Sequence, residues 1–175
     1  NGCTLKVDES VEAIRSYLTD NWDGGAGTIT MVYDVTEPSH STDELSSVKD
    51  ILGKASTDYS KSSKSRSTNI STAAKLINGT VLYPGDTFST LDTITPFSEE
   101  NGYALAGSYA NGTTTETFGG GICQVSTTLY LAVLRAELKV TERKNQSMLV
   151  NYVKPSMDAA IAESSGKDFK FKNNT

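Results

Sequence analysis

Along this chain, apolar residues recur three or four positions apart in some stretches and alternate with polar ones in others, and these two periods predict its elements. In VDESVEAIRSYLTDNW, Val11, Ile14 and Leu18 share one helical face, with Asp8 or Ser10 as cap and the Gly24, Gly25, Gly27 cluster as the end. Ile29, Met31, Tyr33 and Val35 then alternate with polar residues, as a half-buried strand does. STDELSSVKDILG predicts a second helix, capped by Ser41 or Thr42, carrying Leu45, Val48, Ile51 and Leu52 on one face and stopped by Gly53.

Between Ala55 and Thr68 the stretch ASTDYSKSSKSRST is Ser-rich and basic and has no apolar period, so it reads as a loop or linker. NISTAAKLINGT gives a short helix closed at Asn78-Gly79, followed by a turn at Pro84-Gly85 and extended chain around Phe88. Pro96 to Phe118 predicts long loops with short strands. A helix then starts near Cys123, with Val125, Leu129, Ala132 and Val133 on one face. Strands follow in LKVTERKNQSMLVNYVKP and DFKFKN, and no internal repeat is present. The sum is an α+β protein: a helix-strand-helix segment over residues 1–53, a Ser/Lys-rich linker over 54–68, and a domain over 69–175 whose central helix packs on a mostly antiparallel sheet.

Composition narrows the function classes. A chain of 175 residues is long enough to bury a core without disulfides. Sixteen basic against 21 acidic residues, for a net charge of −5, leave no basic stripe to neutralise phosphates, so nucleic acid is not an expected partner. The longest apolar run, Leu129 to Leu134, is too short to span a bilayer. Cys3 and Cys123 lie too far apart in sequence for a zinc pair, so no metal is expected, and no cofactor either. Both thiols are expected to be reduced. Asn-x-Ser/Thr sequons begin at Asn69, Asn78, Asn111, Asn145 and Asn173; in a chain rich in Ser, Thr and Asn they carry little weight.

The stretch that changes the picture is GGGICQVSTTLYLAVLRAEL. A thiol at a helix start is biased toward the thiolate, and glycines let another molecule approach the backbone. Cys123 is therefore a candidate nucleophile, with Gly119, Gly120, Gly121 and Ile122 as candidate backbone donors and Gln124 and Ser126 beside it. The alternative is a tight turn into a buried helix with Cys123 as a small apolar plug. Arg143, Lys144, Asn145 and Gln146 offer an anion-binding edge or simply a solvated strand end. Tyr103, Tyr109 and Phe118 read either as stacking surfaces for sugar rings or as core, and Asp158 and Asp168 as turn-formers rather than an acid/base pair. His40, the chain's single histidine, reads as a helix-flanking surface residue.

LINGTVLYPGDTFS, GGGICQVSTTLYLAVLRAEL, VTERKNQS, NYVKPSMDAAI and DFKFKNNT, in that order over about residues 66–175, resemble the VanW domain family. GCTLKVDESVEAI through ITMVYDVTEP is similar to the tail of the peptidoglycan-binding domain that often precedes it. The resemblance implies a bacterial cell-envelope protein, chiefly of Gram-positive organisms and connected with glycopeptide (vancomycin) resistance. It also implies an extracellular or wall-associated location, secreted or membrane-anchored, with peptidoglycan or its precursor peptides as partner. It names no reaction.

In papain-like and transglutaminase-like enzymes a cysteine opens a helix and a histidine from a later strand is its base. Cys123 and the strands after it have that element order. The family pattern usually reads in forms resembling ERHNHS, whereas this chain has ERKNQS, with Lys144 and Gln146 where histidines would stand. The base is missing, and a protonated Lys is a poor substitute near neutral pH. A binding or scaffold module is thus the leading expectation. A cysteine hydrolase or acyl transferase on cell-wall peptides is the alternative, followed by a thiol redox element using Cys3 and Cys123.

Overall fold

A computed structural model describes residues 2–38, 40–110 and 113–175, apart from the side chains of Tyr109, Ala110, Thr113 and Thr114. Asn111 and the Tyr109 side chain, both singled out above, lie outside the described residues. The chain divides into two units, Asn1–Asp50 and Ile51–Thr175. Five α-helices and small antiparallel sheets are the regular elements that carry the fold among the described residues, beside one 3-10 turn and irregular chain, so the protein is α+β as predicted.

In the first unit, β1 (Gly2–Leu5) pairs antiparallel with β2 (Tyr33–Thr36), and α1 (Val7–Asp20) connects back toward them. Neither predicted cap is used. Lys6 is the N-cap, and Ser10 is buried inside the helix, where its hydroxyl donates to the Val32 carbonyl (3.2 Å) and accepts from the Val32 amide (3.0 Å). The helix is thus stitched to the residue just before β2 by a polar clasp. The helix α2 (Thr42–Ser46) has the Ser41–Glu44 capping box but ends far short of Gly53. Leu45, Val48, Ile51 and Leu52 stay exposed, so no buried face exists to extend the helix.

The second unit holds the core. Its segment from Ile51 to Ser63 is irregular, but the expected loop ends there. Ser63 accepts the Arg66 amide at 3.2 Å and starts α3 (Lys64–Ile77), which takes in five residues assigned above to the linker, Lys64 to Thr68. Capping and a buried Asn69 supply what the sequence's apolar period does not. Gly53 serves close approach rather than helix termination: a Cβ there would meet the Ala132 carbonyl oxygen at 2.2 Å.

After α3 come β3 (Thr87–Ser89), α4 (Thr90–Ile94), the hairpin β4 (Leu105–Ala110) and β5 (Thr113–Phe118), α5 (Ile122–Arg135), β6 (Lys139–Glu142) and β7 (Lys170–Lys172). The sheet order is β3-β7-β6, all antiparallel, with a bulge between Val140 and Glu142. Residue alternation turns Phe171 inward, opposite Phe88, with ring centroids 5.2 Å apart, and Tyr130 of α5 meets Phe169 edge-on at 5.4 Å. Tyr103 is core, 2 % exposed, with its hydroxyl donating to the Ile94 carbonyl at 2.7 Å. Asp168 accepts from the Ser89 hydroxyl (2.5 Å) and the Leu91 amide (2.8 Å), which locks β3 and α4 to the strand β7. No helix among the described residues is long and apolar enough to cross a membrane.

Candidate functional site

The three glycines before α5 answer to neighbours inside the protein. A Cβ on Gly120 would meet the Ala106 carbonyl oxygen at 2.5 Å and the Gly107 carbonyl oxygen at 2.8 Å, so β4 can run across the turn only if residue 120 is glycine. Gly121, the N-cap at φ 107°, faces the Arg66 side chain, whose Cγ would lie 2.8 Å from an added Cβ. Asn69, fully buried, donates to the Gly120 and Ala104 carbonyls (3.0 and 2.9 Å) and accepts the Ala104 amide (2.7 Å). That sequon therefore offers no glycan acceptor.

Cys123 opens into a cleft of about 420 Å³ that Arg66, Phe118, Gly121, Gln146, Tyr152 and Glu163 help to line. Its Sγ donates to the Ile161 carbonyl at 3.3 Å. Burial pushes the thiol above its ordinary value, against smaller opposing effects of the Ile161 peptide, the Gln146 amide and the charges of Lys167 and Arg66. The helix start thus does not make a thiolate here; desolvation prevails. Gln146 Nε2 donates to the Tyr152 hydroxyl at 3.0 Å, and burial pushes that phenol up to about 12, with the nearby Cys123 as the next cause. Cys123, Gln146 and Tyr152 form a polar cluster that is neutral at physiological pH.

Arg66, which the linker reading left unconsidered, reaches the same cleft from the first turn of α3. Its Nη2 donates to Gln124 Oε1 at 2.7 Å and its Nη1 to the Ser62 hydroxyl at 2.6 Å. Gln124, 2 % exposed, in turn donates to the Thr57 hydroxyl (3.0 Å) and the Asp58 carbonyl (2.9 Å). The signal was a Ser-x-x-Arg capping pattern inside a polar run, which lacks the periodicity that marks helices in sequence.

Of the predicted site residues, Gly119, Gly121, Ile122, Cys123, Gln124 and Gln146 line this one cleft. Gly120 is sealed behind it, and Ser126 points into the core, donating to the Ala159 carbonyl at 2.6 Å. Arg143 is no free cation: it donates to the Ser156 and Asp158 carbonyls, pairs with Asp158 at 3.1 Å and lies over the Tyr130 ring. With Asn145 it borders a neighbouring cavity of about 400 Å³. Lys144 is exposed and lines neither, while its carbonyl accepts the Ala160 amide at 2.8 Å. His40 belongs to the first unit, with Nδ1 3.3 Å from Glu44 Oε2. Both cysteines are free thiols, and no three metal-ligating side chains group together among the described residues.

The VanW-like protein family matches residues 65–175, well over half of the chain and every element of this cleft. The chain belongs to this family. It is similar to the uncharacterized protein YoaR of Bacillus subtilis, 42% identical over 122 residues, and to the vancomycin B-type resistance protein VanW of Enterococcus faecalis, 31% identical over 113 residues. Those stretches are 70% and 61% of this chain, and it spans about 40% of the length of each relative. No solved structure matches it. Nothing matched extends the likeness of residues 1–53 to a peptidoglycan-binding domain. Within the VanW-like region, the second histidine of the resembled pattern falls on Gln146, which touches the thiol, and the first on Lys144, which does not.

Proposed function

We propose that this VanW-like chain is a cell-envelope binding module that holds peptidoglycan or its precursor peptides, acting outside the cell within a secreted or membrane-anchored protein. Its part in glycopeptide resistance is accessory, by analogy with the Enterococcus relative that bears that name. On the same reading, residues 1–53 are the tail of a peptidoglycan-binding domain delivering the VanW-like unit to the wall.

One observation carries the choice of binding over catalysis. The groups around Cys123 are an amide, a phenol and a carbonyl, all good hydrogen-bonding partners for a peptide and none a proton acceptor near neutral pH. Glu163, the carboxylate lining the cleft, is exposed and takes the Phe97 amide at 3.4 Å. Incubation with purified muropeptides tests this by two readouts, retention and mass change. Retention of unchanged muropeptides, kept in Cys123→Ala, is expected. Cleavage or transfer abolished by Cys123→Ala would replace the module with a cysteine hydrolase or acyl transferase.

A further inference from the structure

We infer that the Arg66 guanidinium is a carboxylate anchor, and that the ligand of the Cys123 cleft is a peptide that presents a free carboxylate to it. The inference deepens the binding reading above and rests on it for the site, though not for the origin of the peptide.

Arg66 and Glu163 both line the cleft, but the carboxylate of Glu163 is exposed, takes the Phe97 amide and forms no ion pair with the guanidinium. Among the described residues no carboxylate lies within ion-pair distance of Arg66; its two partners, Ser62 and Gln124, are neutral. A guanidinium has five N–H donors in a planar fork. Two are used here, which leaves Nε–H and one N–H on each terminal nitrogen. The residue is also only part-exposed, so its charge is not fully hydrated.

Its position in the fold adds to this. Arg66 sits in the first turn of the 14-residue helix α3, and Cys123 in the first turn of the 14-residue α5; neither first turn contains an acid. A helix N-terminus is normally balanced by Asp or Glu, and a cation there is unfavourable. In this unit the start of α5 and the Arg66 guanidinium line one cleft, with the exposed Glu163 also in its lining, within a chain of net charge −5. An arrangement that costs stability when empty is relieved by an anion, and a carboxylate matches the fork bidentately. The rest of the cleft suits the remainder of a peptide: Gln146 supplies an amide and Phe97 and Phe118 supply apolar wall.

Rigidity supports specific recognition. The absent Cβ of Gly121 admits the Arg66 stem, and Gln124, held by Thr57 and Asp58, fixes the guanidinium from behind. The anchor is therefore preorganised rather than a mobile surface cation.

The test measures binding to the intact chain of two probe pairs: a muropeptide and its carboxyl-amidated form, and an unrelated N-acetyl tripeptide and its amide. Each acid should bind its site about tenfold or more tightly than the matching amide, the size of one charge-assisted contact. In Arg66→Gln that ratio should fall close to one, whereas Arg66→Lys should keep part of it. The ratio is internal to each variant, so a merely structural loss would weaken acid and amide alike and leave it unchanged. Should Arg66→Gln not fold, Ser62→Asp, at a part-exposed position whose hydroxyl already accepts from Arg66 Nη1, gives the guanidinium an internal counter-ion and should abolish the same ratio. Muropeptides bound with no acid preference would overturn the anchor and leave the envelope reading standing. Acid-selective, Arg66-dependent binding of the tripeptide but not of muropeptides would keep the anchor and remove peptidoglycan. Binding of neither pair would overturn both.

Discussion

Replacing Gln124 by alanine separates a residue that builds the cleft from one that merely lines it. The side chain is 2 % exposed and makes three hydrogen bonds, to Arg66, Thr57 and the Asp58 carbonyl. The bond to the guanidinium is charge-assisted, about 1.5–3 kcal/mol, and the two others are about 1 kcal/mol each. Water can enter the polar gap left behind, and neighbouring terms do not add in full, so a loss of about 3 kcal/mol is expected. At roughly 3 °C per kcal/mol for a protein of this size, the transition of the C-terminal unit should fall by about 9 °C in calorimetry. The 51–59 segment should also lose hydrogen-exchange protection around Thr57 and Asp58, where its ties to α5 run through Gln124 and the Thr57–Thr128 pair at 2.7 Å, and less around Lys54, whose carbonyl is held by Arg135. A variant within about 1 kcal/mol of wild type, with ligand binding nevertheless lost, would refute this reasoning and return Gln124 to the role of a ligand contact.

Cys3 is exposed and should alkylate first, with Cys123 slow at neutral pH because burial holds it protonated; equal rates at pH 7 would contradict the neutral thiol. Cys123, Tyr103 and Tyr152 all hold their protons more tightly folded than unfolded, so the unfolded state loses protons first as pH rises. Stability should therefore be full below about pH 9, decline above the ordinary thiol value of 9.0 and decline further above 10, and Cys123→Ala should remove the first part of that slope in urea titrations. Gln146→His should place an imidazole beside the sulfur and raise its alkylation rate at pH 7 by about tenfold, whereas Lys144→His should change nothing; the reverse ranking would misplace the strand. Arg143→Ala should cost about 3 kcal/mol in urea unfolding by stranding the part-buried Asp158, and it should show no selective effect on carboxylate ligands. Gly120→Ala should cost about 2–3 kcal/mol through overpacking, because both groups it would strike are backbone carbonyls, and a near-neutral melt would disprove the close approach of β4.

Several features of the protein were legible in the chain alone. The period of Val125, Leu129, Ala132 and Val133 marks α5, and the glycine run marks its start, because apolar spacing and turn chemistry are local properties. The order of motifs was enough to suggest the family, and the substitution at Gln146 told against an imidazole at the thiol. Burial and partnership were not legible. The Ser-rich run from Ala55 to Thr68 looks like solvated linker, yet its hydroxyls and carbonyls cap α3, hold Gln124 and seat Arg66, since hydrogen-bond partners 58 to 67 residues away leave no trace in local composition. Arg143 reads as a free cation until Asp158 folds against it, and Lys144 and Gln146 read as equivalent until only the second meets the cleft. The sign of the thiol's shift was likewise a tertiary matter. A helix start favours thiolate over a few ångströms, but the part-buried sulfur is bonded to the Ile161 carbonyl and shares its cleft wall with Tyr152, and desolvation is the larger effect.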